Sequence, residues 1–577
     1  MALALAAGSS CAVAQNIQFP PDANVINITT FGVVPGDAID DTAGFQAALN
    51  ATVATGRVLY LPNGEYKLSD RLNWGGIGSG GRFRLQGQSR DGVVLRLDDG
   101  APGFGDPLNP KVFIDAYEGN TANQFRNYLQ DVTIDVGTGN PGVIALQFQS
   151  NNTGAIRNVL IRSAGPGRAG VVGLDLAFNF PGPFLAQDLT IEGFDEAIRG
   201  APQEYSVTFD RLTIRNQNVR GMGFWRLPVQ IRDLVSENSV PVLRNNSNPG
   251  AWGHIVIDGG TFTGGSPSNP AILNEDGAGV VVLRNVTTQG YALAMDDDES
   301  NPMTTVPGGV VAQYTTDAPF TVQPSPASML PLSGADAPAL PDIPLSQWAS
   351  VKAFGAIEDD NLDDTKAIQA AFASGASVVY FPSGLYYISD TIEVGPTVVR
   401  VEGLLSDIRT NAPLAIEPRP MLRIGKDAQP IVHISGLNQS FQSPGFRGGG
   451  TWIEHAKANT LVIRDGDIQY RNTVSGGKVF LENVVGNDVV FEGQQVWAKQ
   501  LNPEGSGITK VINDAGDLYI LGLKTEGDGT VLETRNRGRS LVLGGLIYPS
   551  SPVADRTQPM FRSIDSSLSF TVPESCY

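Results

Sequence analysis

FGVVPGDAIDDTAGFQAALN at residues 31–50 is followed at 57–70 by RVLYLPNGEYKLSD, and the chain later repeats both phrases. The second copies read FGAIEDDNLDDTKAIQAAF at 354–372 and SVVYFPSGLYYISD at 377–390. Phe31, Gly32, Asp40, Asp41, Thr42 and Gln46 correspond to Phe354, Gly355, Asp363, Asp364, Thr365 and Gln369. Pro62, Gly64 and Tyr66 correspond to Pro382, Gly384 and Tyr386. In each copy Asp-Asp-Thr offers oxygens to the free N–H groups of a helix start. A short helix follows, with Phe45, Ala48 and Leu49, or Ile368, Ala371 and Phe372, on its apolar side. An apolar strand then ends at Pro-x-Gly. A short amphipathic helix in front of such a strand can plug the open end of a parallel β-helix, which otherwise exposes an unpaired sheet edge.

Strands recur after the first cap at 129–136, 155–162, 185–192, 207–215, 229–236 and 281–288. Their core positions Val132, Val159, Leu189, Leu212, Leu234 and Val286 recur mostly at the length of one coil of a solenoid. The expected fold is therefore all-β: two right-handed parallel β-helices in tandem, each with a short N-terminal capping helix. The first is placed at 24–295 and the second, with a carboxylate pair, at 347–565. A Pro/Ala-rich connector spans 296–346 and a tail spans 566–577. The acidic run opening the connector is expected to be solvated.

Composition agrees with an all-β chain. Of 577 residues, 67 are Gly and 38 are Pro, and only 17% are charged. The net charge of −19 opposes nucleic acid or an anionic membrane as partner. Two cysteines, Cys11 and Cys576, exclude a disulfide framework, and three scattered histidines give no metal cluster. No cofactor is expected. Residues 1–14 resemble the apolar part of a signal peptide ending in Ala-Val-Ala, which points to a secreted or periplasmic protein. A monomer acting on a polysaccharide or oligosaccharide is expected.

The chemistry concentrates near the C-terminus. VWAKQLNPEG (496–505), LYILGLKTEG (518–527) and LVLGGLIYPS (541–550) stack as successive coils, with Val496, Leu518 and Leu541 in one column. Glu504 and Glu526 share another. Adjacent strands lie about 4.8 Å apart, so the two carboxylates become neighbours. Like charges at that range push one pKa upward, which suits a general acid. Paired carboxylates are the equipment of glycoside hydrolysis. Lys524 shares the face of Glu526, and Trp497 offers an aromatic surface to a sugar.

The repeated cap resembles the N-terminal module of the pectate-lyase superfamily. The duplicated layout, with QVWAKQLNPEG, LYILGLKTEGDGTVLET and LGGLIYP, is similar to glycoside hydrolase family 55. That resemblance implies an inverting, exo-acting β-1,3-glucanase with Glu526 as general acid and Glu504 in the same network. It also implies that the first β-helix supplies a Gln and a Ser that hold the attacking water. The matching segment is LQFQSNNTGAIRNV at 146–159, where Asn152 aligns with the Gln and Gln149 stands close by as a second substrate-facing candidate. No Ser occurs in FNFPGPF (178–184), where one is implied, so the water site departs from the family pattern. Carboxyls on adjacent coils also lie at the short spacing of retaining enzymes, so separation does not fix the stereochemistry. A β-helix lyase acting on a uronate polymer and a non-catalytic glycan-binding protein remain the alternatives.

Overall fold

In the computed structural model the described residues are 16–73, 84–117, 119, 122–163, 165, 169–200, 205–246, 253–275, 279–298, 304–322, 328–410, 419–438, 453–549 and 557–575. The proposed signal peptide and both cysteines lie outside them.

Both halves are parallel β-helices. The first carries one 13-stranded and one 10-stranded sheet, and the second a 17-stranded sheet. Each opens on a cap helix, α1 (Thr42–Thr55) and α2 (Thr365–Phe372). Asp40 Oδ1 accepts from Thr42 N at 3.0 Å, and Asp363 Oδ1 from Thr365 N at 3.1 Å. The second aspartate of each pair leaves the helix instead. Asp41 accepts from Lys67 N and Asp364 from Tyr387 N, so it ties the helix to the strand beside it.

The core column of the first half is in register from Val132 through Val159, Leu189, Leu212 and Leu234 to Val286. Gly260 stands between Leu234 and Val286, in a coil the apolar pattern skips. The ring of Phe262 fills the space its side chain leaves. Immediately before this column runs another: Asp131, Asn158, Asp188, Arg211, Asp233, Gly259 and Asn285 all have φ between 52° and 89°. Left-handed backbone is most accessible to Gly, Asn and Asp, and here it bends every coil at the same corner. The second half repeats the device at Asp465, Asn483, Gln500, Gly522 and Gly544.

The strands Thr304–Pro307 and Val310–Thr315 pair antiparallel with the last coil of the first β-helix, inside the stretch assigned to the connector. Asp297, from the acidic run expected to be solvated, is fully buried there and accepts from Asn274 and Tyr314. The strand Ser567–Thr571 likewise pairs with Arg539–Tyr548, inside the stretch assigned to the tail.

The two β-helices meet along their bent corners. Arg157 pairs with Asp465 at 2.7 Å, Gln187 with Glu482 at 3.1 Å, Lys499 with Asp210 at 2.7 Å, and Tyr519 with Asp258 at 2.7 Å. A Cβ on Gly522 would lie 2.1 Å from Thr208 Oγ1, so the corner must be bare for the halves to approach. Asp336 of the connector joins the cluster by accepting from Arg211 and Arg232. Leu332, also from the connector, packs with Val256, Val282, Leu521, Leu541 and Leu543. Buried charges of this kind are tolerated because each has partners that offset its lost hydration.

Candidate active site

The strand Gln495–Pro503 lies beside Asp517–Glu526, with Leu501 opposite Leu523. Continuing that register sets Glu504 next to Glu526. Alternation along the strand turns Lys524 and Glu526 to one face. Lys524 is fully buried, and its ammonium donates to Glu504 Oε1 at 2.9 Å and to Glu526 Oε1. It also donates to Asn152 Oδ1 of the first β-helix at 3.1 Å. Asn502 Nδ2 adds a bond to Glu504 Oε1 at 3.0 Å. The side chains of Glu504 and Glu526 are 21% and 32% exposed, so the carboxylates face solvent while the cation beneath them does not.

The sequence thus places Glu504, Glu526, Lys524 and Asn152 in one cluster. The like-charge repulsion anticipated for the pair is offset by Lys524, whose ammonium lies between the carboxylates. Asn152 is held at the corner at φ 61°, between Asn151 and the Gly154 amide. Asn151 Nδ2 donates to Phe180 O and Gly182 O, and Gly154 N donates to Asn483 Oδ1 at 3.1 Å.

Gln149 and Trp497 are held by other contacts. Gln149 is fully buried, and its amide donates to Asn179 O and Phe180 O, so it supports the 178–184 loop. Trp497 lies at the start of the strand that Glu504 follows. Its ring stacks on Phe480 at 4.8 Å and its N–H donates to Ser333 O at 3.0 Å, which commits it to the connector. The expected hydrophobic column is off by one at its last member. Val496 faces Leu518, but Leu518 faces Ser540 and Leu541 faces Tyr519. The bent glycines Gly522 and Gly544 set this register.

Three groups escaped sequence reasoning. Asp467 lies on the column that runs through Val485 to Asn502. Burial, then repulsion from Glu504 and Asp407 against attraction from Arg126, raises its pKa to about 7. Tyr548 stands opposite Glu526 in the next coil. Its ring lies 6.3 Å from that of Tyr205 of the first β-helix, and Tyr205 lies 5.3 Å from Phe180, so a row of aromatics from both halves starts beside Glu526. Among the described residues no group of three or more His, Cys, Asp or Glu could hold a metal ion.

Fold and site together define a tandem parallel β-helix with a two-carboxylate cluster between its halves. The family model for rhamnogalacturonase A/epimerase, pectate lyase-like, matches residues 25–241 and 348–399 and so includes both caps. More particularly, the chain is a tandem β-helix protein similar to glycoside hydrolase family 55. sacteLam55A from Streptomyces sp. SirexAA-E superposes with a TM-score of 0.51 at 13% identity, over 97% of this chain and 94% of that one. A variant of the same protein, in complex with glucose, gives 0.50 at 14% identity over the same shares. A glucan 1,3-beta-glucosidase of Cochliobolus carbonum is 22% identical over 456 residues, 70% of this chain and 56% of that protein. A probable glucan endo-1,3-beta-glucosidase of Arthroderma benhamiae is 36% identical over 115 residues, 18% of this chain and 13% of that one. The chain therefore spans little more than half of the first relative and about an eighth of the second.

Proposed function

We propose that this chain is a secreted glycoside hydrolase acting on a β-1,3-glucan, with Glu526 giving its proton to the leaving oxygen. The observation that carries this is the cluster itself. Two solvent-facing carboxylates from adjacent coils share one buried ammonium, opposite an amide from the other β-helix. The names of the two fungal relatives point to the same bond type. The row of Tyr548, Tyr205 and Phe180 that starts beside Glu526 offers aromatic faces of the kind that sugar C–H groups stack on.

Each carboxylate places one oxygen on the same nitrogen, so the two lie close together. An inverting acid–base pair needs about 6.5–9.5 Å between its carboxyls for the attacking water. We therefore read Glu504 and Glu526 as a donor and its partner, and follow the family resemblance in setting the attacking water on the side of Asn152. Burial, with Glu504 and Asp407 nearby, raises the Asp467 pKa to about 7, a value that suits a group taking up the proton the water releases. On this reading the reaction inverts the anomeric carbon.

Incubation with laminarin, pectate and alginate tests the assignment. Reducing sugar from laminarin, without an unsaturated product, supports it, and α-glucose as the first anomer supports inversion. An enoate absorbance from pectate or alginate favours a lyase, the second reading left open by the pectate-lyase-like family match. Silence on all three favours a glycan-binding role.

A further inference from the structure

We propose that Lys510 is a positioning residue, anchoring from inside the second β-helix the two backbone segments that carry Glu526 and Glu504. Its catalytic consequence rests on the hydrolase reading above. Lys510 lies in the strand Thr509–Asp514 and is fully buried. Its ammonium donates to Thr525 Oγ1 at 2.7 Å, to Glu526 O at 2.6 Å and to Gly527 O at 3.4 Å. Thr525 Oγ1 in turn donates to Pro503 O at 2.6 Å. One buried cation is thus bonded to the acid's own carbonyl and, through one hydroxyl, to the residue before Glu504.

The corner it holds is also tied by the pairing of Thr525 and Glu526 with Ile547 and Tyr548 and by Gly507 N donating to Asp528 Oδ1 at 2.8 Å, but Lys510 is the group that reaches it from beneath. Glu526 ends its strand, and Gly527 follows at φ 77°. A Cβ on Gly527 would meet Gly505 O at 2.7 Å, so no side chain at that position can brace the turn. The bracing comes from beneath, and an ammonium is an expensive means of supplying it. Burying a charge without a carboxylate partner costs stability, and an apolar side chain would pack the same space more favourably. Among the described residues no acidic oxygen forms an ion pair with Lys510; its bonds go to a hydroxyl and two carbonyls. The charged groups acting on it are Glu504, Asp528 and Glu526, which favour the ammonium, and Lys524, which opposes it. Burial outweighs the favourable ones and lowers its pKa to about 8, so the anchor weakens as pH rises through that value.

The test is Lys510→Met in the full chain. The expected kcat on a laminari-oligosaccharide falls about 10–100-fold with KM within about twofold, because a misplaced acid costs turnover rather than binding. The wild type should lose kcat as pH rises through about 8, and the variant should lack that limb. Amide hydrogen exchange should quicken at 525–529 while the remaining coils keep their protection. Unchanged kcat together with unchanged exchange at that corner overturns the proposal. If the wild type cleaves no glucan, the hydrolase reading fails, and exchange alone decides whether Lys510 anchors the corner. If Lys510→Met does not fold, Lys510→Gln, which keeps a donor without the charge, and Thr525→Val, which cuts the relay to Pro503 O, together take its place. A lower kcat at constant KM in either supports the anchor, and no change in both overturns it.

Discussion

The two β-helices begin alike and end differently. In both caps the tyrosine hydroxyl donates to the proline carbonyl four residues earlier, at 2.6 Å for Tyr66 and 2.7 Å for Tyr386. In both, a serine hydroxyl reaches the first aspartate, at 2.7 Å for Ser69 and 2.6 Å for Ser389. Further along, the first β-helix ends its strand Phe184–Glu192 with a glutamate paired to Arg215 at 2.9 Å, an ordinary rim ion pair. The second ends Asp517–Glu526 with a glutamate bonded to a buried lysine and facing another carboxylate. Repetition therefore marks what closes a solenoid, and departure from repetition marks where we propose that the chemistry is placed.

The sharpest test of that contrast is to make one change at both strand ends. Glu526→Gln keeps the shape and removes the proton, so turnover on a natural glucan should fall about 10²–10⁴-fold. An activated aryl glucoside needs less protonation and should lose less. Glu192→Gln should leave both rates as they are. Near-normal turnover by Glu526→Gln on the natural glucan would sink the catalytic assignment.

Next in size is the seam between the halves. Asp210 is fully buried, with Lys499, Arg232 and Arg211 around it. Those cations hold its carboxyl far below the usual range despite burial. Asp210→Asn removes a buried countercharge common to all three, leaving them Asp336, and should cost up to about 3–5 kcal/mol in urea unfolding. The wild type should reproduce the loss in acid. Burial would raise the pKa of Glu482, but Arg464, Lys499 and Arg157 override it and bring the value down to about 2. A depressed carboxyl stabilises fully above its unfolded value, near 4.5, and that contribution disappears as pH falls from there toward about 2. Acid stability should therefore fall in that window, and less steeply in a Glu482→Gln variant.

How much of this was readable depended on whether a residue acts within its own coil. The caps, the core column from Val132 to Val286 and the 22-residue spacing of Glu504 and Glu526 are local repeats, and all were visible. The Asp, Asn or Arg before each core Val or Leu was visible as well, although its role as a left-handed corner was not drawn from it. Asp467, Tyr205 and Tyr548 were hidden because their roles depend on contacts far apart in sequence. The register slip at Leu541 has a local cause. Leucines recur on both sides of the true pairing, and only the aligned glycines of LGLK and LGGL discriminate.

A smaller effect should come from Asn152, the first β-helix's contribution to the cluster. Asn152→Ala removes its bond to Lys524 but leaves both carboxylates bonded, so turnover should drop about tenfold, the equivalent of one lost hydrogen bond to a charge. The unfolding midpoint should fall slightly, because Ala is strained at φ 61° where Asn is tolerated. Gly would suit the left-handed backbone better, so Asn152→Gly separates strain from lost contact. Equal activity in both variants assigns the loss to the amide, while recovery in the Gly variant assigns it to the backbone.

The smallest effect probes the similarity itself. Tyr66→Phe and Tyr386→Phe each delete one hydroxyl bonded to a proline carbonyl, in rings that are fully buried. Each should cost about 0.5–1.5 kcal/mol, the net worth of one hydrogen bond, and neither should alter turnover. If the caps serve only closure, the two costs should agree within the error of urea unfolding. Their surroundings nevertheless differ. Beside the second cap, Tyr380 packs with Ala23 of the first half and its hydroxyl donates to Asp22, whereas Tyr60 of the first cap packs on Phe19 and donates to Ile17 O. One N-terminal segment thus braces both caps, the first through Ile17 and Phe19 of its own half and the second, across the seam, through Asp22 and Ala23. A consistently smaller loss for Tyr386→Phe would show that the brace across the seam takes up the strain, and that the repeated caps share a design without sharing a mechanical load.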